Sequence, residues 1–218
     1  MLLLAMDTAT PAVTAALHDG SSVVAESSRV DARRHGELLL PAVDAVLAEA
    51  GVKLDAVTGI VVGVGPGPYT GLRVGLVTAA TFGSALGVPV HGVCTLDGLA
   101  YASGLDDGPF VVATDARRKE VYWARYEHAR SRVTDPSVDR PADIAEQVAG
   151  LPAVGAGALL YPETFQDTRG PEHVSAAALA ALAAERLASG ADFLPPQPLY
   201  LRRPDAQVPK NYKVVTPK

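Results

Sequence analysis

Apolar positions along this chain fall in short blocks whose spacing switches between the two periods that backbones allow. "LLLAMDTA" is a nearly unbroken apolar run closing at Asp7, which predicts a buried strand and then a turn. "AVTAALHDG" alternates as a return strand, and Asp19-Gly20 predicts a hairpin into "SSVVAESS". Residues 35–50 change to helical spacing at Leu38, Leu39, Ala42, Val43, Val46, Leu47 and Ala50, with Gly51 as the stop. Pro41 must open or kink that helix. "VTGIVVGVG" has the continuous apolarity of a central parallel strand. A Gly/Pro-rich loop, a helix to about Gly87, the strand "VPVHGV" and a short helix "TLDGLAYAS" follow.

A second series begins near Gly104. "PFVVATDARRKEVYWARYE" predicts strand, turn and strand, and "RPADIAEQVAG" a helix with Pro141 in its first turn. "LPAVGAGA" is another buried strand, and "SAAALAALAAERLASG" a helix from an N-cap at Ser175 to a stop at Gly190. Six prolines from Ala191 onward predict an extended segment lying on the body, with a mobile end. The two series echo each other: "LLAMDTATPAV" aligns with "VVATDARRKEV", pairing Asp7 with Asp115, and "VVGVG" aligns with "AVGAG". The expectation is an α/β protein of two similar lobes, residues 1–103 and 104–218, with a cleft between them.

The stretch "GVGPGPYTGLRVGLVTAATFGSALGVP" resembles a phosphate loop and fails as one. Leu72 and Arg73 follow Gly71 where a Walker loop needs Lys and Ser/Thr, and Thr70 stands where a dinucleotide fingerprint starting at Gly65 needs glycine. Pro66 and Pro68 remove two N–H donors. Gly71, Gly75, Ala79, Gly83 and Gly87 recur every four residues along one helical row. Interior glycines at 75 and 83 cost about 2 kcal/mol together, which close backbone approach would offset. Spacing alone leaves two partners open: the protein's own sheet or 35–50 helix, and a helix of another subunit.

Composition narrows the classes. Of 218 residues, 48% are hydrophobic and 20% charged, and a net charge of −5 argues against the chain gripping nucleic acid by itself. Cys94 is the single cysteine, so intrachain disulfides and four-cysteine zinc sites are excluded, in keeping with a reducing cytoplasm. "MLLLAMD" reaches Asp7 too soon for a signal peptide. Residues 74–90 carry no charge but are broken by glycine, threonine and proline, predicting a buried helix and strand, not a membrane span. Asp7, in "DTAT", could ligate magnesium beside a nucleotide or bond its own turn. The five histidines make no H-x-x-x-H or H-x-H pair, and Cys94 reads as buried. Arg73 is the best charged candidate, with an ion pair to Glu37 or Asp97 as its plainer use.

"MDTAT", "RRHGELLLPAVDAVLAEAG", the 59–100 block containing G-P-G-P-Y-T-G-L-R, "DARRKEVYWARYE" and "PLYLRRPD" together resemble the TsaB (YeaZ) family. That resemblance covers most of the chain. It implies an actin-like (ASKHA) fold of two duplicated lobes. It also implies a non-catalytic, cytoplasmic subunit that works with TsaD in adding threonylcarbamoyl to the adenosine 3′ to the tRNA anticodon. The implied partners are TsaD directly, TsaE and the threonylcarbamoyl-adenylate synthase in the pathway, a second copy in isolation, and tRNA through the complex. The metal-binding H-x-x-x-H of the sister subunit falls here on "TLDGL", with Thr95 and Leu99 at its histidine positions. The implied interface lies on helices 35–50 and 71–87, at His35, Leu39, Val43, Gly71, Arg73, Gly75, Ala79 and Gly83. Asp7, Thr8 and Asp115 are the residues placed near any nucleotide; no cofactor or metal is expected beyond weak ATP/Mg binding. A stand-alone glycoprotease-like peptidase and an actin-like ATPase are the alternatives. Five Lys/Arg against two Asp from 191 to 218 leave tRNA contact by the tail "PKNYKVVTPK" open, with a solvated tail the simpler expectation.

Overall fold

Strands β1 (Leu3–Asp7) and β2 (Ala12–His18) are buried along their whole length. Both faces of their sheet are therefore covered, and the alternation of side chains shows by what. Leu4 and Met6 join Leu39, Val43 and Leu72 in one core, while Leu3 and Ala5 join Leu96, Leu99 and Leu179 in another. The helices supplying those residues are α1 (His35–Ala50) and α2 (Tyr69–Leu86) on one face, and α3 (Thr95–Ser103) and α6 (Ala176–Ser189) on the other. This computed structural model describes residues 1–202, so the tail "PKNYKVVTPK" lies outside the described residues.

The first sheet adds β3 (Val23–Val30), β4 (Gly59–Gly63) and β5 (Val90–Val93), in the order β3-β2-β1-β4-β5. β1 runs antiparallel to β2 and parallel to β4, and β4 parallel to β5. The second half repeats this plan with β6 (Phe110–Asp115), β7 (Val121–His128), β8 (Ser131–Arg132), β9 (Ser137–Asp139), β10 (Pro152–Val154) and β11 (Asp167–Arg169). β6 is antiparallel to β7 and parallel to β10, and β10 parallel to β11. Helices α4 (Pro141–Val148) and α5 (Ala156–Leu160) take the places that α1 and α2 hold in the first half. The expected duplication is thus present in the topology, with Asp7 and Asp115 closing equivalent strands.

Phe110 and Val112 share a core with α3 and α6, whereas Val111 and Ala113 face Ile144, Val148 and Ala158 of α4 and α5. The layers run α1/α2, first sheet, α3/α6, second sheet, α4/α5. The middle layer is common property: α6 packs on β1 and β2, and α3 on β6 and β7. Caps follow the sequence signals. Gly51, Gly87, Gly104 and Gly190 end α1, α2, α3 and α6 in the left-handed conformation. Ser175 Oγ accepts from the Ala177 and Ala178 N–H groups at the start of α6. Pro41 sits inside a continuous α1 on its exposed side, where the carbonyl that loses its donor can meet water.

After α6 the chain runs back over the first half. Leu194 exchanges backbone hydrogen bonds of 3.1 Å each way with Gly92, covering the edge of β5, and the Leu199 N–H donates to the Val64 carbonyl at 2.8 Å. Tyr200 then stacks on Tyr69, and Arg202 pairs with Glu120 of the second half. This strap ties the two halves together across their front.

Candidate functional site

The glycine loop answers to packing. A Cβ on Gly67 would lie 2.2 Å from the Ala9 carbonyl oxygen, so the loop after β4 presses on the β1–β2 turn where no side chain fits. After β10 in the second half, a Cβ on Gly155 would lie 2.4 Å from the carbonyl oxygen of Ala113 in β6, so that loop too is closed by backbone contact. Gly63 leaves room for Asp7, whose Oδ2 would be 1.7 Å from a Cβ there. Asp7 is fully buried. Its Oδ1 accepts the Ala9 N–H at 2.7 Å, its Oδ2 accepts the Thr95 hydroxyl at 2.7 Å, and Thr95 in turn accepts the Gly65 N–H. Burial pushes the Asp7 carboxyl up to about 6, with those hydrogen bonds and the charge of His35 pulling the other way. Of the two uses its motif offers, Asp7 makes the hydrogen bond to its own turn, as Asx geometry allows. Cys94 is also buried and its thiol is pushed up to about 12, which leaves it inert.

Between the halves lies a cavity of about 290 Å³. Thr8, Thr10, Arg33, His35, Tyr69 and Thr70 line it from the first half, Asp115 and Arg117 from the second. The Thr8 hydroxyl is spent on α2: it donates to the Gly71 carbonyl at 2.7 Å and accepts the Gly75 N–H at 2.9 Å. His35 Nε2 donates to the Thr10 carbonyl at 2.8 Å. Asp115 repeats the turn of Asp7, accepting the Arg117 N–H at 2.7 Å, but is only partly buried and pairs with the Arg117 side chain at 3.1 Å. Arg117, Arg118 and Lys119 all hold positive φ, between 57° and 62°. Such a conformation costs on the order of 1 kcal/mol for each residue that carries a Cβ. Thr8 and Asp115 therefore meet at the cavity, and Asp7 does not.

The residues expected at an interface divide sharply. Leu39 and Val43 are buried in the core under α1. The glycine row faces inward: Cβ atoms on Gly71 and Gly75 would meet the Thr8 carbonyl oxygen and hydroxyl at 2.7 Å each, and one on Gly83 would meet Val90 at 2.3 Å. Ala79 is fully buried. The docking groove expected along this row is thus occupied by the protein's own first sheet, and the inward members of the set are corrected accordingly. The outward face of α2 is offset from the row by about half a turn and carries Arg73, Val77, Ala80, Thr81, Ser84 and Ala85. No charge appears on it after Arg73, and Val77 is 63% exposed. On α1, Leu40 is 50% exposed beside Pro41. Arg73 pairs with neither expected acid; its guanidinium lies 4.4 Å from the Tyr69 ring centroid. Glu37 is held by Arg34, and Asp97 by Arg132, Arg186 and Tyr126.

Among the described residues, no three His, Cys, Asp or Glu side chains converge as a metal site would need. No helix of the described residues is long and apolar enough to cross a membrane. A family profile described as "TsaD: tRNA N6-adenosine threonylcarbamoyltransferase" matches residues 23–193. An uncharacterized protein of Mycobacterium tuberculosis is 46% identical over 213 residues, covering 94% of this chain and 93% of its own length. The tRNA threonylcarbamoyladenosine biosynthesis protein TsaB of Escherichia coli is 30% identical over 178 residues, with 77% of each chain covered. The chain belongs to the TsaB (YeaZ) family. The solved YeaZ of Pseudomonas aeruginosa matches this fold with a TM-score of 0.78 at 31% identity, over 92% of this chain and 99% of that one. The duplicated halves around a shared helical layer are the actin-like fold expected of a TsaB family member.

Sequence reasoning passed over several residues that build this region. Thr95 entered only as a missing histidine, yet its hydroxyl locks Asp7. Tyr69 and Tyr200 stack at 5.4 Å between ring centroids, a contact across 131 positions that no local pattern could disclose. The outward face of α2 was legible: residues two positions on from each glycine lie on the opposite side of a helix.

Proposed function

We propose that this chain serves tRNA threonylcarbamoyladenosine biosynthesis as a non-catalytic subunit that docks the transferase TsaD through the outward faces of α1 and α2. The observation that carries this reading is the uncharged, small-residue surface of Val77, Ala80, Thr81, Ser84 and Ala85 on a helix whose other side is anchored by its glycines. Free helix surfaces are normally dotted with charge, and an apolar one is stable once covered. The state of the cavity supports the same reading, since its Thr8 hydroxyl and His35 ring are committed to backbone partners. TsaE and the adenylate synthase act in the same pathway, tRNA is reached through the complex, and the free chain pairs with itself through the same face.

The test is light scattering of mixtures with the TsaD of the same organism, together with transfer of threonylcarbamoyl to tRNA. Val77→Glu and Ser84→Glu are expected to abolish association and transfer while changing folding stability by no more than about 0.5 kcal/mol, the usual range for exposed positions. Gly75→Glu and Gly83→Glu are expected to unfold the chain, because their Cβ positions are occupied. Normal association by a folded Val77→Glu chain would exclude this docking face. Nucleotide binding is a second reading, favoured by the cavity that Thr8 and Asp115 share; calorimetry with MgATP, on the wild type and on Asp115→Ala, tests it.

A further inference from the structure

We infer that the front of the cleft is an RNA-contacting surface, through which this chain grips tRNA phosphates and stacks an unpaired base within the complex. The inference rests on the subunit reading above and assigns a role that the net charge of −5 conceals. Three segments meet here, residues 31–37, 69–73 and 115–120, and together they carry six cationic side chains against four carboxylates. Arg33 and Arg117 line the cavity from opposite halves, and Tyr69 shares that lining. Beside them stands an aromatic stack. The Arg73 guanidinium covers Tyr69, Tyr69 lies at 20° to Tyr200, and the two tyrosine residues are 56% and 44% exposed. Exposed rings flanked by guanidinium groups are the elements with which proteins hold single-stranded RNA, whose bases stack while cations track the backbone.

The hairpin tip supplies a separate argument. Arg117, Arg118 and Lys119 occupy three consecutive left-handed positions that glycine or asparagine would take with less strain. Packing gives Lys119 no reason to be there, since its side chain is exposed. The strap that carries Tyr200 also delivers Arg202 to the Arg117 carbonyl and to Glu120, tying the hairpin to the strap. A strained turn held in place so that it can present cations is a turn selected for what it touches.

The experiment measures tRNA affinity over a salt series for the complex with TsaD, and separately for the full chain alone with an anticodon stem-loop at low salt. Assembly is followed in parallel by light scattering. Arg33→Glu combined with Lys119→Glu is expected to weaken tRNA binding about tenfold or more and to reduce the salt slope by about 1–2, with assembly unchanged. Lys119→Gly is expected to raise the thermal midpoint by about 2 °C while weakening binding by about threefold, opposite signs that a structural lysine could not give. Unchanged tRNA affinity in the folded double variant would overturn the inference. So would loss of TsaD binding by that variant, which would make the surface a protein contact. If the wild-type chain fails to assemble with TsaD, the subunit reading falls; the chain-alone measurement still decides the RNA surface, where equal stem-loop affinities for wild type and variants would refute it.

Discussion

Asp7 shows how much a single carboxyl can weigh. An unfolded chain releases its proton near pH 4, the folded one near pH 6. Between those values the folded state holds the extra proton, so stability falls as pH rises, by at most about 3 kcal/mol for two units. Below pH 4 both states are protonated and the effect vanishes. Asp7→Asn, neutral throughout, is expected to remove this component: its thermal midpoint should gain several degrees on the wild type between pH 4.5 and 7.5. A constant difference across that range would mean that the carboxyl is not desolvated. Gly63→Ala drives a methyl group into Asp7 Oδ2 and is expected to cost about 3 kcal/mol or more in urea unfolding. Asp7→Ala vacates the same space, so the double variant should fall well short of the summed losses. That Asp7 bonds its own turn was legible in "DTAT". Its seal was not, because Thr95 lies 88 positions away and a threonine in a helix start advertises nothing.

At the scale of elements, the helices with glycine stops and the Asp19-Gly20 hairpin were legible from spacing and turn chemistry. Asp19 Oδ1 accepts from both Ser21 and Ser22 in that hairpin. Strands β8, β9 and β11 were not legible, since two or three residues hold no period to read. The direction of the glycine row was not legible either: close approach was foreseeable, but a helix cannot declare which neighbour comes close. Three other elements are joined by Asp97, which from sequence alone is only a candidate partner for Arg73. Asp97 on α3 accepts from Arg132 of β8 at 3.0 Å, from Arg186 of α6 at 3.2 Å and from the Tyr126 hydroxyl of β7 at 2.9 Å. Two half-buried guanidinium groups would be left facing each other without it. Asp97→Ala is therefore expected to cost about 2–3 kcal/mol in urea unfolding, and Asp97→Asn nearly as much, because charge and not shape is what is lost. A loss below about 0.5 kcal/mol would show that water replaces the carboxylate.

The whole molecule was legible as two echoing halves, from one repeated aspartate and one repeated glycine-ended strand. The path of residues 191–202 was foreseeable as extended chain, but its pairing with Gly92 was not, since a lone glycine in "VPVHGV" has many readings. A Cβ there would lie 2.6 Å from the Leu194 carbonyl oxygen and 2.8 Å from that of Pro195. Gly92→Ala is expected to lift the strap, seen as cleavage by proteases between residues 191 and 202 and faster amide exchange at Leu194, with most of the sheet unaffected. Retained protection would show that the strap is held by its other contacts, at Leu199, Tyr200 and Arg202. The shared middle layer reaches further, into how the protein is made. One face of the first sheet rests on α6, the last helix before the strap, so a nascent chain that has finished β5 must wait on the order of 5–20 s of synthesis before that face is covered. For that interval the emerging polypeptide offers Leu3, Ala5 and Ala16 to whatever stands at the ribosome exit. A fold that exchanges helices between its halves cannot be completed one half at a time, and its first sheet stays half-bare until nearly the whole described chain has been made.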